Sequence, residues 1–341
     1  MFDFFTVILP ISGVPVNILL LALLGVAVGV LGGFFGMGGA WMVTPALNIF
    51  GFPMPFAVGT DLCHMAGKSI ISTRRHAKFG NVDMKLGLTM LAFDVVGIEI
   101  GARLVMLLEG HGLAGPVIRW VYVVFLALIG GLVFYDYFKK RTLERTGMAS
   151  EGESAVRWHL TLHRINVPPI VTFDVAQVRC SMWLPALVGL LVGILAGFLG
   201  IGGGLIMMPA LVYLIGAPTY VAVGTDLFTV MLSGFYGAFT YAMKGRVELL
   251  AVLFMLAGAA PGAQIGTIAT KYIRGYGIRL MFGVTVICAL VSVVLKQLDM
   301  GTSAAWLVMA AVTAMTMVVV YGMVRGAIQE LRRPSEAADR P

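Results

Sequence analysis

Three ionisable side chains, Asp61, His64 and Lys68, stand at i, i+3 and i+7 in an otherwise apolar stretch and so share one helix face. Such a row can relay protons, since histidine titrates near neutral pH, or can hold a static Asp–Lys pair; the lysine can also attract an anion by charge. A carboxylate well inside a hydrophobic span is costly and points to function. The tetrapeptide Val-Gly-Thr-Asp that ends at Asp61 returns at 223–226 and ends at Asp226, followed by Thr229 and Ser233 where the first copy has His64 and Lys68. Thr60 and Thr225, the threonines of the two copies, can donate hydroxyl hydrogen bonds to a ligand. Asp94 and Glu99 lie in a further apolar run, where they can couple protons to transport or pair with Arg103.

Glycine supplies the second kind of chemistry. Gly36-Met-Gly38-Gly39 has a partner in Gly200-Ile-Gly202-Gly203-Gly204. Each cluster can unwind a helix end, because glycine reaches positive φ without steric cost. At membrane depth, unwound backbone is tolerated only against protein or a watery cavity, and converging N–H groups there suit an anion. Pro45 and Pro209 follow six residues after Gly39 and Gly203, where they bend or end the short piece. The stripes Gly25/Gly29/Gly33 and Gly189/Gly193/Gly197 read more simply, as surfaces for close helix packing in lipid.

The elements that must position these groups are membrane spans. Of 341 residues, 59% are hydrophobic and 12% charged, and the mean hydropathy is +0.93; a soluble chain carries about twice that share of charge. Runs of about 20 apolar residues place helices near 16–35, 54–78, 84–108, 117–138, 183–200, 219–243, 248–271, 276–296 and 303–325, with shorter pieces at 40–51 and 204–215. The expected fold is an all-α polytopic membrane protein of about nine transmembrane helices plus two half-helices. The net charge of +7 sits in short clusters between apolar runs, a topology signal rather than a nucleic-acid surface. Cys63, Cys180 and Cys288 have no pairing or ligand spacing, and His159 and His163 lack further ligands, so neither a metal nor a cofactor is expected. Metalloprotease and serine-hydrolase motifs are absent, which argues against an enzyme.

The spans are organised in two copies. Gly25–Leu62 aligns with Gly189–Leu227 at an offset of 164, then 165 after one inserted residue, with 20 of 38 positions identical. Agreement continues at Gly80/Gly245, Val82/Val247, Gly97/Gly262 and Gly101/Gly266. The chain then divides into an N-terminal interfacial segment (1–15), a first membrane repeat (16–138), a cytoplasmic linker (139–181), a second repeat (182–296), an additional transmembrane helix (297–325) and a polar tail (326–341). The first segment lacks the basic region and cleavage site of a signal peptide. Duplication with paired helix breaks is the signature of a secondary transporter whose site forms between the repeats.

The doubled pattern G-x-x-x-G-x-x-G-x-G-G-x(5)-P-x-L followed by A-V-G-T resembles the sulfite exporter TauE/SafE family, from about Gly25 to Leu295. The resemblance implies a multi-pass bacterial inner-membrane carrier exporting small sulfur-containing anions such as sulfite or an organosulfonate. Its site would lie between the two glycine breaks, with Thr60 and Thr225 as donors. Asp61 and Asp226 stand where the family pattern has serine. Two carboxylates beside an anion would repel it unless protonated or paired, so protons join the expected partners, with Asp61, His64 and Asp94 handling them. An uptake carrier for another solute or metal ion, or a passive anion channel, is the alternative.

Topology turns on the short pieces. If both are re-entrant, the repeats are parallel and Lys plus Arg, leaving out Lys68, divide 14 to 9 between the faces; if both cross, the repeats are inverted and the division is 18 to 5. The positive-inside bias prefers the second arrangement, with linker and C-terminus inside and N-terminus outside.

Overall fold

The computed structural model describes residues 5–35, 42–145, 167–272 and 276–332. Gly36, Gly38, Gly39, His159 and His163 lie outside the described residues. The elements are β1 (Thr6–Ile8), β2 (Pro15–Asn17), α1 (Ile18–Phe35), α2 (Val43–Ile49), α3 (Met54–Lys78), α4 (Met84–Gly110), α5 (Ala114–Arg145), β3 (Ile170–Phe173), β4 (Val178–Ser181), α6 (Trp183–Leu199), α7 (Gly204–Ala210), α8 (Thr219–Met243), α9 (Leu249–Tyr272), α10 (Tyr276–Gln297) and α11 (Gly301–Arg332). A π-helical turn, Leu211–Ile215, continues α7.

Among the described residues, four stretches are long and apolar enough to span a bilayer unaided: Ala114–Tyr135, Thr219–Met243, Leu249–Ala269 and Gly301–Gln329. The α1 and α6 helices are apolar but shorter. In α3 and α4 the charged residues that make them interesting also dilute their hydropathy. The fold is that of an all-α multi-pass membrane protein, with two small antiparallel hairpins outside the helices: β1–β2 before α1 and β3–β4 before α6. Both hairpins fall where the sequence predicts an interfacial segment and a solvated linker. Strands of three or four residues are too short to show an alternating pattern. Two helices also outrun their expected ends, α5 continuing to Arg145 and α11 to Arg332.

Helix directions follow from the close contacts. Added Cβ atoms at Gly25, Gly29 and Gly33 would strike the backbones of Met255, Ala259 and Ala263, so α1 and α9 run parallel. Gly189, Gly193 and Gly197 meet Met90, Asp94 and Ile98 in the same ascending order, which makes α4 and α6 parallel too. Conversely, Gly59 faces Tyr241 and Arg246, Gly234 faces Leu62 and Ala66, and Gly224 faces Asn81, so α3 and α8 are antiparallel. A tight turn with Gly80 at φ +69° reverses the chain between α3 and α4. Therefore α1, α3 and α9 point one way, and α4, α6 and α8 the other.

Since α1 and α3 share a direction, the chain returns between them: Ile49 and Phe50 at the end of α2 border the same recess as Pro15 and Asn17 at the start of α1. Among the described residues, α6, α8 and α9 thus point opposite to α1, α3 and α4, respectively, their counterparts at the 164–165 offset. The Arg119–Gln297 hydrogen bond (2.6 Å) ties the start of α5 to the end of α10. The start of α11 borders the α1 recess as well. One face thus carries β1–β2 and the other carries β3–β4 with the ends of α5 and α11; we call them the first-hairpin and second-hairpin faces.

Candidate transport site

Helix α3 begins with Pro53 and Pro55 about its first turn and ends in Arg75, His76 and Lys78, favourable charges for a helix C-terminus. Its polar face is internal. Asp61 and His64 are fully buried. The backbone N–H and the hydroxyl of Thr44, at the start of α2, both donate to Asp61 Oδ2, at 3.1 and 2.9 Å. Asp61 Oδ1 lies 3.7 Å from His64 Nδ1 and accepts no hydrogen bond. Lys68 is 7% exposed, and its Nζ has no hydrogen-bond partner.

That ammonium lines a cavity of about 120 Å³ near the second-hairpin face. Helix α3 contributes Lys68, Ser69, Ser72, Arg75 and His76; α9 contributes Gln264 and Thr267; Gly32 and Gly33 of α1 complete the lining. Its polar walls are rich in donors, and among the described residues that line it there is no carboxylate. Sequence reasoning marks Lys68 but not Arg75, His76 or Gln264. Their spacing from Lys68 along α3, at i+7 and i+8, is the signal for the first two.

On the first-hairpin face the equivalent place is filled. The residues offset by 164 or 165 from Gly33, Ser72 and His76 are Gly197, Gly237 and Tyr241. Tyr241 donates its hydroxyl to the carbonyl of Gly197 (2.6 Å), and Tyr122 donates to Leu199 (2.6 Å). Leu62 and Ile98 press on Gly237, where a Cβ would meet Leu62 at 2.9 Å. Closer to the surface, Arg246 Nε lies 3.0 Å from the Glu109 carboxylate while the guanidinium covers the ring of Phe56 at 5.1 Å.

Thr60 and Thr225 have structural partners. The hydroxyl of Thr60 accepts the backbone N–H of Glu248 (3.0 Å), and that of Thr225 accepts the N–H of Asp83 (3.0 Å). The two acids then hold the hairpins: Glu248 accepts from the N–H groups of Ile11 and Ser12, and Asp83 accepts from Ala176 and from Leu86. The hairpin that opens each half is thereby clasped by an acid of the other half, β1–β2 by Glu248 and β3–β4 by Asp83.

The remaining expected residues are dispersed. Asp94 and Asp226 are 1% exposed with carboxylate oxygens that accept no hydrogen bond. Asp94 lies within electrostatic reach of Asp226, and Ser233 beside Asp94 directs its hydroxyl to the Val230 carbonyl (3.5 Å). Glu99 pairs with Arg103 at 2.7 Å, one of the two readings its sequence context allows, and Arg103 is 76% exposed on the outer face of α4. Gly200, Gly202 and Gly203 all have positive φ. They pack tightly rather than lining the cavity: a Cβ at Gly200 would come 2.6 Å from Thr44 Oγ1, and one at Gly203 would meet Val192 at 2.6 Å. Gly204 opens α7. Pro45 falls in the first turn of α2, where its missing N–H costs nothing, whereas Pro209 stands at the end of α7, just before the π turn.

A model of the sulfite exporter TauE/SafE family matches residues 21–293, which spans nearly every helix just described. The chain belongs to that family. Among similar proteins, the probable membrane transporter protein YunE of Bacillus subtilis is 27% identical over 73% of this chain and 87% of its own length. A probable membrane transporter protein of Xylella fastidiosa is 26% identical over 81% and 92%. No solved structure matches. As a TauE/SafE family member, the protein is a multi-pass membrane transporter and not an enzyme.

Proposed function

We propose that the protein exports sulfite or a small organosulfonate across the bacterial inner membrane by alternating access, with the second-hairpin face in the cytoplasm. The single observation that carries this reading is the unpartnered Lys68 ammonium in a donor-lined cavity near that face. An ammonium at membrane depth is costly unless something neutralises it, and an oxyanion would supply both charge and acceptors. The orientation agrees with the 18-to-5 division of basic residues.

The packed first-hairpin side supports a carrier rather than an open channel. Release there requires Tyr241, Leu62 and the Arg246–Glu109 pair to part while the cavity near His76 closes, a rocking of inverted halves. Asp61 and His64 lie deeper than Lys68 on the same helix face, so a proton reaching them from the cavity can change the hold of Thr44 on Asp61. Asp94 and Asp226 are further carboxylates able to carry a proton.

Counterflow of labelled sulfite in proteoliposomes tests the reading. Saturable exchange that Lys68→Gln weakens at least tenfold, and that Lys68→Arg partly keeps, is expected. Exchange unaffected by Lys68→Gln would remove Lys68 as the anion site, and conductance without saturation would make the protein a channel.

A further inference from the structure

We infer that a recess on the first-hairpin face, remote from the transport cavity, binds the phosphate headgroup of a membrane phospholipid. The recess holds about 470 Å³ between α1, α2, α10 and α11. Lys296, in the last turn of α10, and Thr302, in the first turn of α11, give it an ammonium and a hydroxyl. The missing side chain of Gly301 keeps the approach to the ammonium clear: a Cβ there would lie 3.4 Å from Lys296 Nζ. Leu20, Ile49 and Phe50 form an apolar wall beside these polar groups.

The surroundings fit a lipid better than a free anion. Trp306, one turn along α11 from Thr302, is 74% exposed, as suits an aromatic side chain at the headgroup boundary. Leu19, Leu20 and Leu23 on α1 are exposed where acyl chains would cover them. An inorganic anion would satisfy Lys296 and leave that wall uncovered. Asp299 is the acid of the α10–α11 turn, and its charge acts on Arg119 of α5, whose side chain is bonded to Gln297. The neighbourhood therefore keeps a positive balance. No residue of the recess lines the cavity around Lys68.

Native mass spectrometry of the full chain exchanged into phosphatidylglycerol, or into diacylglycerol, which lacks the phosphate, tests the site. A basic residue near a membrane surface contributes about 1 kcal/mol toward anionic lipid, about fivefold in occupancy. Phosphatidylglycerol should be retained over diacylglycerol, and K296Q should lower its occupancy about fivefold. K85Q, at a lysine that bonds the Thr172 carbonyl on the opposite face, should leave occupancy unchanged. Gly301→Val, which fills the recess and keeps the lysine, should also displace the lipid; it covers the case in which K296Q does not fold. Equal retention of the two lipids, or occupancy unchanged in both K296Q and Gly301→Val, overturns the inference. Displacement by millimolar inorganic phosphate without loss of apolar contact would assign the recess to a free anion and overturn it as well.

Discussion

Tyr241 plugs the first-hairpin side by donating its hydroxyl to the Gly197 carbonyl, whereas His76, the residue one offset earlier, borders an open cavity beside Gly33. Equivalent places in the two halves are thus closed on one face and open on the other. One neutral hydrogen bond contributes about 1 kcal/mol, so Tyr241→Phe should shift the balance toward first-hairpin opening about fivefold. Labelling of a cysteine at position 62 by an impermeant maleimide from that face, with the native cysteines removed, should rise accordingly. Unchanged labelling would mean that the tyrosine is not part of the seal.

Thr44→Val removes the hydroxyl donor to Asp61 and keeps the backbone bond. Losing a hydrogen bond to a buried acceptor costs about 1–3 kcal/mol, seen as a lower melting temperature in detergent, while Thr44→Ser should stay near the parent. Combined with Asp61→Asn, the cost should be less than additive, because both changes break one interaction.

The parallel helix pairs depend on glycine. A Cβ at position 29 would sit 2.8 Å from the Ala259 Cα, so Gly29→Ala should destabilise by about 1–3 kcal/mol as an overpacked contact. Nothing lies within 4 Å of the Cβ position at Gly131, and Gly131→Ala should be neutral or stabilising by up to about 1 kcal/mol. Thermal unfolding of the two variants side by side decides it.

Glu99 and Asp94 should separate functionally. Glu99→Gln loses only the pair with the exposed Arg103 and should keep flux within about twofold, in line with the small contribution of exposed ion pairs. If Asp94 carries the coupled proton, Asp94→Asn should abolish the response of flux to a pH gradient. Flux measured with and without the gradient distinguishes them.

Outside the spans, burial in the β3–β4 hairpin pushes the Cys180 thiol up to about 11. Its maleimide labelling at pH 8 should be at least about tenfold slower than that of a free thiol, whose pKa is about 8.5. The folded state holds this proton through the window between those values, so the stability it contributes below about pH 8.5 is lost as pH climbs toward 11. Labelling rates across pH 7–11 give the midpoint.

Apolar length and the glycine offsets make the helices and their pairing in halves legible in the sequence. The face of α3 bearing Asp61, His64 and Lys68 is equally plain from spacing. The clasps are less so: Gly80/Gly245 and Val82/Val247 match by identity, but the acids that follow, Asp83 and Glu248, share only charge, and matching by identity passes over them. Their role also depends on hairpins too short to leave a periodic trace. The cavity is invisible for a different reason. The equivalent places carry Lys68, Arg75 and His76 in one half and Ser233, Thr240 and Tyr241 in the other, and which one stands open depends on packing between helices rather than on spacing along one of them. For Glu99 the spacing to Arg103 makes the pair legible, but an acid in an apolar run looks the same in sequence whether it faces the interior or, as here, an arginine one turn away on the outside.

The parallel pairing of α1 with α9 has a consequence for how the protein is made. Helix α1 is complete at Phe35, yet the surface that receives Gly25, Gly29 and Gly33 begins only at Leu249. In chain order, the partner of the α1 glycine stripe is therefore synthesised only after most of the second half. The α4 helix likewise precedes its partner α6, though by a shorter interval. Each half lacks the surface on which its own glycine stripe packs, so two separately expressed halves should rescue each other in one membrane where either by itself is degraded.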